Sequence, residues 1–405
     1  MNPLRRIFDK ARPLFEEGGR LSALHSVYEG FESFLFTPKT TSSSGVHMHD
    51  SIDSKRIMIT VVVALLPCLL FGMYNTGYQN WLGAGAVQSE YSFWGMMLYG
   101  FLAVLPKLLT AYIVGLGIEF VSAQIKHEEI QEGFLVTGIL IPLICPVNTP
   151  CWMIAVATAF AVIFAKEVFG GTGYNIFNVA LVTRAFLFFA YPAQMSGDKV
   201  FVATQPIMGV GHTVGLADGF SGATPLGQAA THAGGEMTLT NILGDPLSLS
   251  DAFLGLIPGS FGETSTLCIL IGAAILLIGG IADWRIILSV FVGGALMGFV
   301  AHTFSSPTYP CSFLTPWEQL CYGGFAFAAV FMATDPVTAA RTAAGKYIYG
   351  FMIGVIAILI RTYNNGYPEG AMLAVLLMNA FAPLIDYCVI QGNVRRRRNR
   401  LISKV

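Results

Sequence analysis

Residues 94–121 read WGMMLYGFLAVLPKLLTAYIVGLGIEFV, and Lys107 and Glu119 are the only charged side chains in the run. A bilayer's hydrocarbon core takes about 20 apolar residues of helix, so this run is long enough to cross one. Working outward from it, similar runs occupy 57–74, 133–146, 151–168, 176–193, 264–283, 286–305, 318–334, 347–363 and 371–391. That makes ten in all, the third and eighth being short. The bulk composition agrees: of 405 residues 54% are hydrophobic and 12% charged, against about 25% charged in soluble domains. The sequence predicts an all-α polytopic membrane protein.

Charge places the runs. With the N-terminus in the cytoplasm, the inward connections and adjoining run ends hold Lys126, Lys166, Arg285, Arg341 and Lys346, and the tail reads Arg395-Arg396-Arg397-Arg398. The outward connections 75–93, 147–150, 194–263, 306–317 and 364–370 hold one basic residue, Lys199. This asymmetry follows the positive-inside rule and puts both termini in the cytoplasm; Arg361, near an outward end, is the exception. The expected divisions are a polar, basic extension 1–56, helices 1–5 over 57–193, an outward loop 194–263, helices 6–10 over 264–391 and a basic tail 392–405. Five runs on each side of the long loop make two halves of opposite orientation. Gly133-Phe134 leading to Pro146-Val147-Asn148-Thr149 is echoed by Gly324-Phe325 leading to Pro336-Val337-Thr338. Short paired elements of this kind line a cavity between inverted repeats; ordinary helices with terminal prolines are the alternative.

Other classes of function are excluded by what the chain lacks. A net charge of −1 gives no field for nucleic acid. The seven cysteines have no CxxC spacing, so they read as small buried hydrophobes rather than as disulfide, zinc or iron–sulfur ligands. His47 and His49 lie in the loop before the first run, and the other histidines are scattered, so no metal site is expected. The charged start, Met1 to Gly19, has no apolar core of a cleavable signal.

Within the outward loop stands Asp218-Gly219-Phe220-Ser221-Gly222-Ala223-Thr224. It fits D-x-x-[ST]-G-A-[TS], a signal for esterifying FMN phosphate to the last hydroxyl; Gly222 and Ala223 leave an attaching enzyme room at the backbone. A plain Gly-rich turn is the other reading of the same residues. Further on come Lys166-Glu167-Val168-Phe169-Gly170-Gly171-Thr172-Gly173, Arg184 through Pro192, Met332-Ala333-Thr334-Asp335-Pro336-Val337 and Tyr367-Pro368-Glu369-Gly370. With these motifs the chain resembles the family of B subunits of the sodium-translocating NADH:quinone oxidoreductase (Na+-NQR) and the related D subunits of the Rnf complex. The polar extension favours the B branch.

The resemblance implies a urea-transporter-like fold of two inverted five-helix repeats in a bacterial inner membrane. It implies FMN on Thr224, attached by a magnesium-dependent flavin transferase, and a non-covalent riboflavin near Gly170 to Asn178. The amides of Asn175 and Asn178, three apart, could bond the flavin ring or cap a helix. It implies quinone contacts at Gly115 and at His127 to Phe134, though Leu116 replaces a glycine and puts inhibitor sensitivity in doubt; packing is the alternative for Phe134. It associates Glu29, Glu119, Asp335 and Asp386 with sodium uptake, while each carboxylate could instead end a helix in the wet headgroup zone. Arg184 could pair a carboxylate, stabilise a reduced flavin or snorkel outward. Electrons are expected to pass from FMN to riboflavin to ubiquinone or menaquinone, with Na+ moved in step. The other subunits (A, C, D, E and F) are the implied partners. NADH is oxidised elsewhere, since no G-x-G-x-x-G follows a strand. A solute channel and a passive scaffold subunit are the rival readings; the Thr224 motif speaks against the channel.

Overall fold

The computed structural model describes residues 54–85, 92–126, 133–196, 200–214, 222–232, 237–364 and 369–402, with Lys10, Arg12, Pro13, Phe15, Tyr28 and Gly45 described singly before them. The described residues form helices and connections, with only isolated β-bridges such as Ile207–Val210. The first half contains α1 (Ser54–Gly83), α2 (Phe93–Lys126), α3 (Phe134–Ile144), α4 (Cys151–Ala161) and α5 (Val179–Ala190). A π turn, Val162–Lys166, and a 3-10 turn, Glu167–Phe169, extend α4. Two short helices follow, α6 (Pro225–Thr231) and α7 (Leu249–Leu254). The second half contains α8 (Thr266–Ile278), α9 (Trp284–Thr303), α10 (Pro316–Cys321), α11 (Phe325–Phe327, continued by a π turn at Ala328–Met332), α12 (Ala343–Tyr363) and α13 (Ala371–Ile402).

Local chemistry starts these helices. Asn178, Ser265, Asp283 and Thr342 each accept a backbone N–H of the first turn of α5, α8, α9 and α12. Ser248 with Asp251 and Thr315 with Glu318 form reciprocal capping boxes on α7 and α10. Pro67 and Pro106 lie inside α1 and α2. The hydroxyl of Thr110 bonds back to the Pro106 carbonyl at 2.7 Å, keeping a polar group satisfied inside an apolar helix.

Six helices are long and apolar enough to cross a bilayer: α1, α2, α4 with its turns, α9, α12 and α13. The apolar helices α3, α5 and α8 have 11, 12 and 13 residues. At about 1.5 Å per residue they span roughly half of a ~30 Å hydrocarbon core. The stretch 318–334, expected as one run, is broken. Gly323 and Gly324 take φ of +65° and +68°, a left-handed conformation that separates α10 from α11. At the other end of the chain, α13 runs on without a break through the four consecutive arginines to Ile402.

Two hydrophobic cores result. The large one joins α1 to α5 with α8, α9 and α11 to α13. One close seam is α9 against α12, where a Cβ on Gly293 would come 2.3 Å from the Phe351 carbonyl and one on Gly354 2.2 Å from the Val290 carbonyl. Small residues let the helix backbones touch, the usual solution where lipid removes the hydrophobic drive. The small core gathers Leu226 and Ala229 of α6, Ala252 of α7, Ile257, Cys311, Leu314 and Tyr322. It forms a cap joined to the large core through the turn between Tyr322 and Phe325.

Candidate functional site

The segment after α4 is set by the glycines that end it. Gly170 closes the helix in a left-handed conformation, with its N–H bonded to the Glu167 carbonyl at 3.2 Å. Gly171 (φ +90°) donates to the Lys166 carbonyl at 3.1 Å. The chain then turns through Thr172 and Asn175 to Asn178, the cap of α5. Asn178 uses both ends of its amide. Its Oδ1 accepts from Ala180 (3.1 Å) and Leu181 (3.3 Å), and its Nδ2 donates to Asp335 at 3.3 Å. Asp335 also accepts from the Val337 N–H at 3.0 Å and the Thr338 hydroxyl at 3.2 Å. One residue from each half therefore meets at the interface between them.

Beside this contact lies a cleft lined by Thr172, Asn175, Asn178, Lys166, Thr334 and Asp335, with Ile57, Val61, Val136, Leu140 and Phe331 as apolar walls. An apolar lining with a few converging polar groups is the character of a site for an organic ligand. Gly170 and Gly171 do not line it; they shape the turn behind it. Both amides line the cleft, and Asn175 donates to the Phe177 carbonyl at 3.1 Å. Asn178 acts as the helix cap.

Lys166 faces both the cleft and α2. Its ammonium forms a buried ion pair with Glu119. The next residue, Glu167, pairs with Lys126 at 2.9 Å and accepts from Ser122. Glu119, Ser122 and Lys126 follow the i, i+3, i+7 spacing of one helix face, so α2 and the end of α4 are joined by a double row of charge. Glu119 is thus neutralised by its partner. Asp386 is elsewhere: it accepts from the N–H groups of Arg341 (2.7 Å) and Thr342 (2.9 Å) and anchors the start of α12. Glu29 lies outside the described residues, as do Asp218 and Ser221.

Gly115 and Phe134 are in direct contact. A Cβ on Gly115 would sit 1.8 Å from the Phe134 ring, and Phe134 is fully buried. The pair is a knob in a hole between α2 and α3. Thr224 caps α6, accepting from the Gly227 N–H at 3.1 Å. Ala223 and Gly222 beside it are buried, while Thr224 itself is half-buried.

Sequence reasoning gave no role to Glu263 and Glu369. Arg184 pairs with Glu263 at 2.8 Å and with Glu369, and donates to the Ile144 carbonyl at the end of α3. Arg361, fully buried, donates to the carbonyls of Gln319 and Tyr322, the latter at 3.0 Å. Glu263 precedes an apolar run, where a carboxylate reads as a wet helix end; only the folded chain shows it enclosed. The pairing of Arg184 is one of the outcomes its sequence position allowed.

Comparison with known proteins bears on what this arrangement serves. The chain is 44% identical over 425 residues to the B subunit of the Na(+)-translocating NADH-quinone reductase of Klebsiella pneumoniae (strain 342), covering 98% of this chain and 99% of the relative. The protein of the same name from Pseudomonas aeruginosa (strain LESB58) is 44% identical over 418 residues, covering 98% and 99%. That from Chromohalobacter salexigens is 43% identical over 416 residues, covering 98% and 96%. Residues 41–395 match the NQR2, RnfD, RnfE family, and the chain belongs to that family.

Proposed function

We propose that the chain is the B-type membrane subunit of a sodium-translocating NADH:quinone oxidoreductase, working with the other subunits of that complex. Flavins supply the electron chemistry when bound, passing electrons from an FMN on Thr224 through a riboflavin to ubiquinone or menaquinone, with Na+ moved in step. The chain's own residues hold, orient and insulate them. The observation that carries this reading is Thr224. It is half-buried at the edge of the cap, behind Gly222 and Ala223, in a chain alike over almost its whole length to reductase B subunits.

The cleft between the halves suits the riboflavin. Thr172 and Asn175 offer polar contacts on one side, Lys166 a cation, and Val136, Leu140 and Phe331 flat apolar walls. Asn178 and Asp335 line the same cleft and, bonded to one another, fix the turn that carries Asn175. In this reading the short helices α3 and α11 are matching elements of two inverted repeats, ten membrane-embedded helices in all. Both termini lie in the cytoplasm of a bacterium, the body lies in its inner membrane, and the α6–α7 cap lies outside. Quinone enters beside α2 and α3, where Phe134 seats on Gly115. Sodium is drawn to the carboxylates Glu29, Asp335 and Asp386, while Glu119 acts through its pair with Lys166.

The test is a denaturing gel of the purified chain from a host that has the flavin transferase, viewed under ultraviolet light, with Thr224→Ala beside it. A fluorescent native band and a dark variant are expected. A dark native band defeats the redox reading and leaves a permease or a scaffold.

A further inference from the structure

Tyr322, Gly323, Gly324 and Phe325 join the two cores: Tyr322 belongs to the small core and Phe325 to the large one. The turn is held from behind on both sides. Arg361 donates to the carbonyls of Gln319, Tyr322 and Gly323. Glu263, held by Arg184 together with Glu369, packs so closely on Gly324 that a Cβ there would sit 2.7 Å from its carboxyl carbon. In front, Leu226, two residues beyond Thr224 and almost wholly buried, presses on Gly323, where a Cβ would come 2.0 Å from its Cδ1.

We propose that the Gly323–Gly324 turn is the seat on which the Thr224 segment docks, and that Leu226 is the positioning residue that fits it. The buried charges of Arg184, Glu263, Glu369 and Arg361 hold the seat at one height relative to the membrane body. Gly323 has no side chain, and the missing atom is the space Leu226 fills. The consequence for electron transfer rests on the function proposed above; the seat itself is a statement about docking and stands apart from it.

The experiment uses Gly323→Ala, Leu226→Ala, the double variant, and Gly324→Ala alone and with Leu226→Ala, each in the assembled complex. Gly324 has nearly the same left-handed backbone, but its Cβ would meet Glu263 and not Leu226. It therefore shares the backbone strain of Gly323→Ala, while its own clash is with Glu263, which Leu226→Ala does not relieve. Two readouts are taken: hydrogen–deuterium exchange of the peptide 222–232, and the rate at which electrons leave the Thr224 flavin in stopped flow. Gly323→Ala is expected to speed exchange and to slow electron transfer about tenfold while the gel fluorescence persists, since small misplacements of reacting groups cost rate steeply. Leu226→Ala should rescue both readouts in the Gly323→Ala background and neither in the Gly324→Ala background. Unchanged exchange in Gly323→Ala overturns the seat, and so does failure of the rescue or an equal rescue of Gly324→Ala. A chain without flavin whose exchange follows the expected pattern keeps the seat and removes the redox function; a normal transfer rate with altered exchange overturns the claim that docking positions the flavin.

Discussion

Thr224 uses one oxygen for two purposes. It caps α6 through the Gly227 N–H, and in the proposed function it is also the ester oxygen. Thr224→Ala should lose the gel fluorescence and, with the cap, about 1 kcal/mol of local stability. Thr224→Ser should keep both, read by fluorescence and thermal unfolding in detergent. Arg184 stands opposite two carboxylates in a buried place. Arg184→Gln should cost about 3–5 kcal/mol, because the acids are left without their cation; adding Glu263→Gln should recover part of it in the same melt. At Gly115 a methyl group has nowhere to go but the Phe134 ring. Gly115→Ala should destabilise by about 1–3 kcal/mol through overpacking, and should raise the KM for quinone if that face admits it. At this scale the sequence singled out Thr224 by its motif, and the resemblance singled out Gly115 and the segment ending at Phe134 without giving the contact between them. The partners of Arg184 and Glu119 were not, since Glu263, Glu369 and Lys166 are 79, 185 and 47 residues away from them in the chain.

Element boundaries followed apolar runs well where the runs are long, as in α2, α9 and α12, and poorly where the chain bends back within the membrane body. The run 318–334 hides two adjacent left-handed glycines, and an apolar count is blind to backbone sign. The ends of α3 and α5 are cut short by Pro146 and Pro192, which the same count treats as continuations. Asp283 drew no reading from the sequence: it starts α9 and pairs with Lys346 of α12 at 2.7 Å. Partial burial pushes its carboxyl up, but the hydrogen bonds from Lys346 and the Arg285 N–H, with both positive charges, outweigh that and hold it below the usual carboxylate range. A depressed carboxyl contributes stability above its unfolded pKa of about 3.9 and loses it as pH falls through the lower, folded value. Asp283→Asn should therefore lower the melting temperature at neutral pH by an amount worth about 0.2–1 kcal/mol. The gap from wild type should close once the acid side of that range is reached.

Taken together, the described residues hold six helices long and apolar enough to cross a bilayer, a set of shorter apolar helices packed among them, and a cap with its own core. The distribution of basic residues implies an orientation for the halves, and a fusion test checks it. A fluorescent protein on the C-terminus should glow, and alkaline phosphatase at the same place should stay inactive, as expected of a cytoplasmic end. Of the paired Gly-Phe and Pro-Val signatures, Gly133, Pro336 and Val337 line the cleft, whose other walls come from helices far apart in sequence. Each half enters that cleft through a π turn, Val162–Lys166 in one and Ala328–Met332 in the other. A π turn amounts to an α-helix carrying one surplus residue. Excise that residue from α4, and everything beyond it swings by about 100°, taking Lys166 away from Glu119 and the Thr172 loop away from its opposite wall. The spacing of the two halves is thus written in single-residue insertions, and a lineage that lost one would have to rebuild the cleft from a different set of side chains.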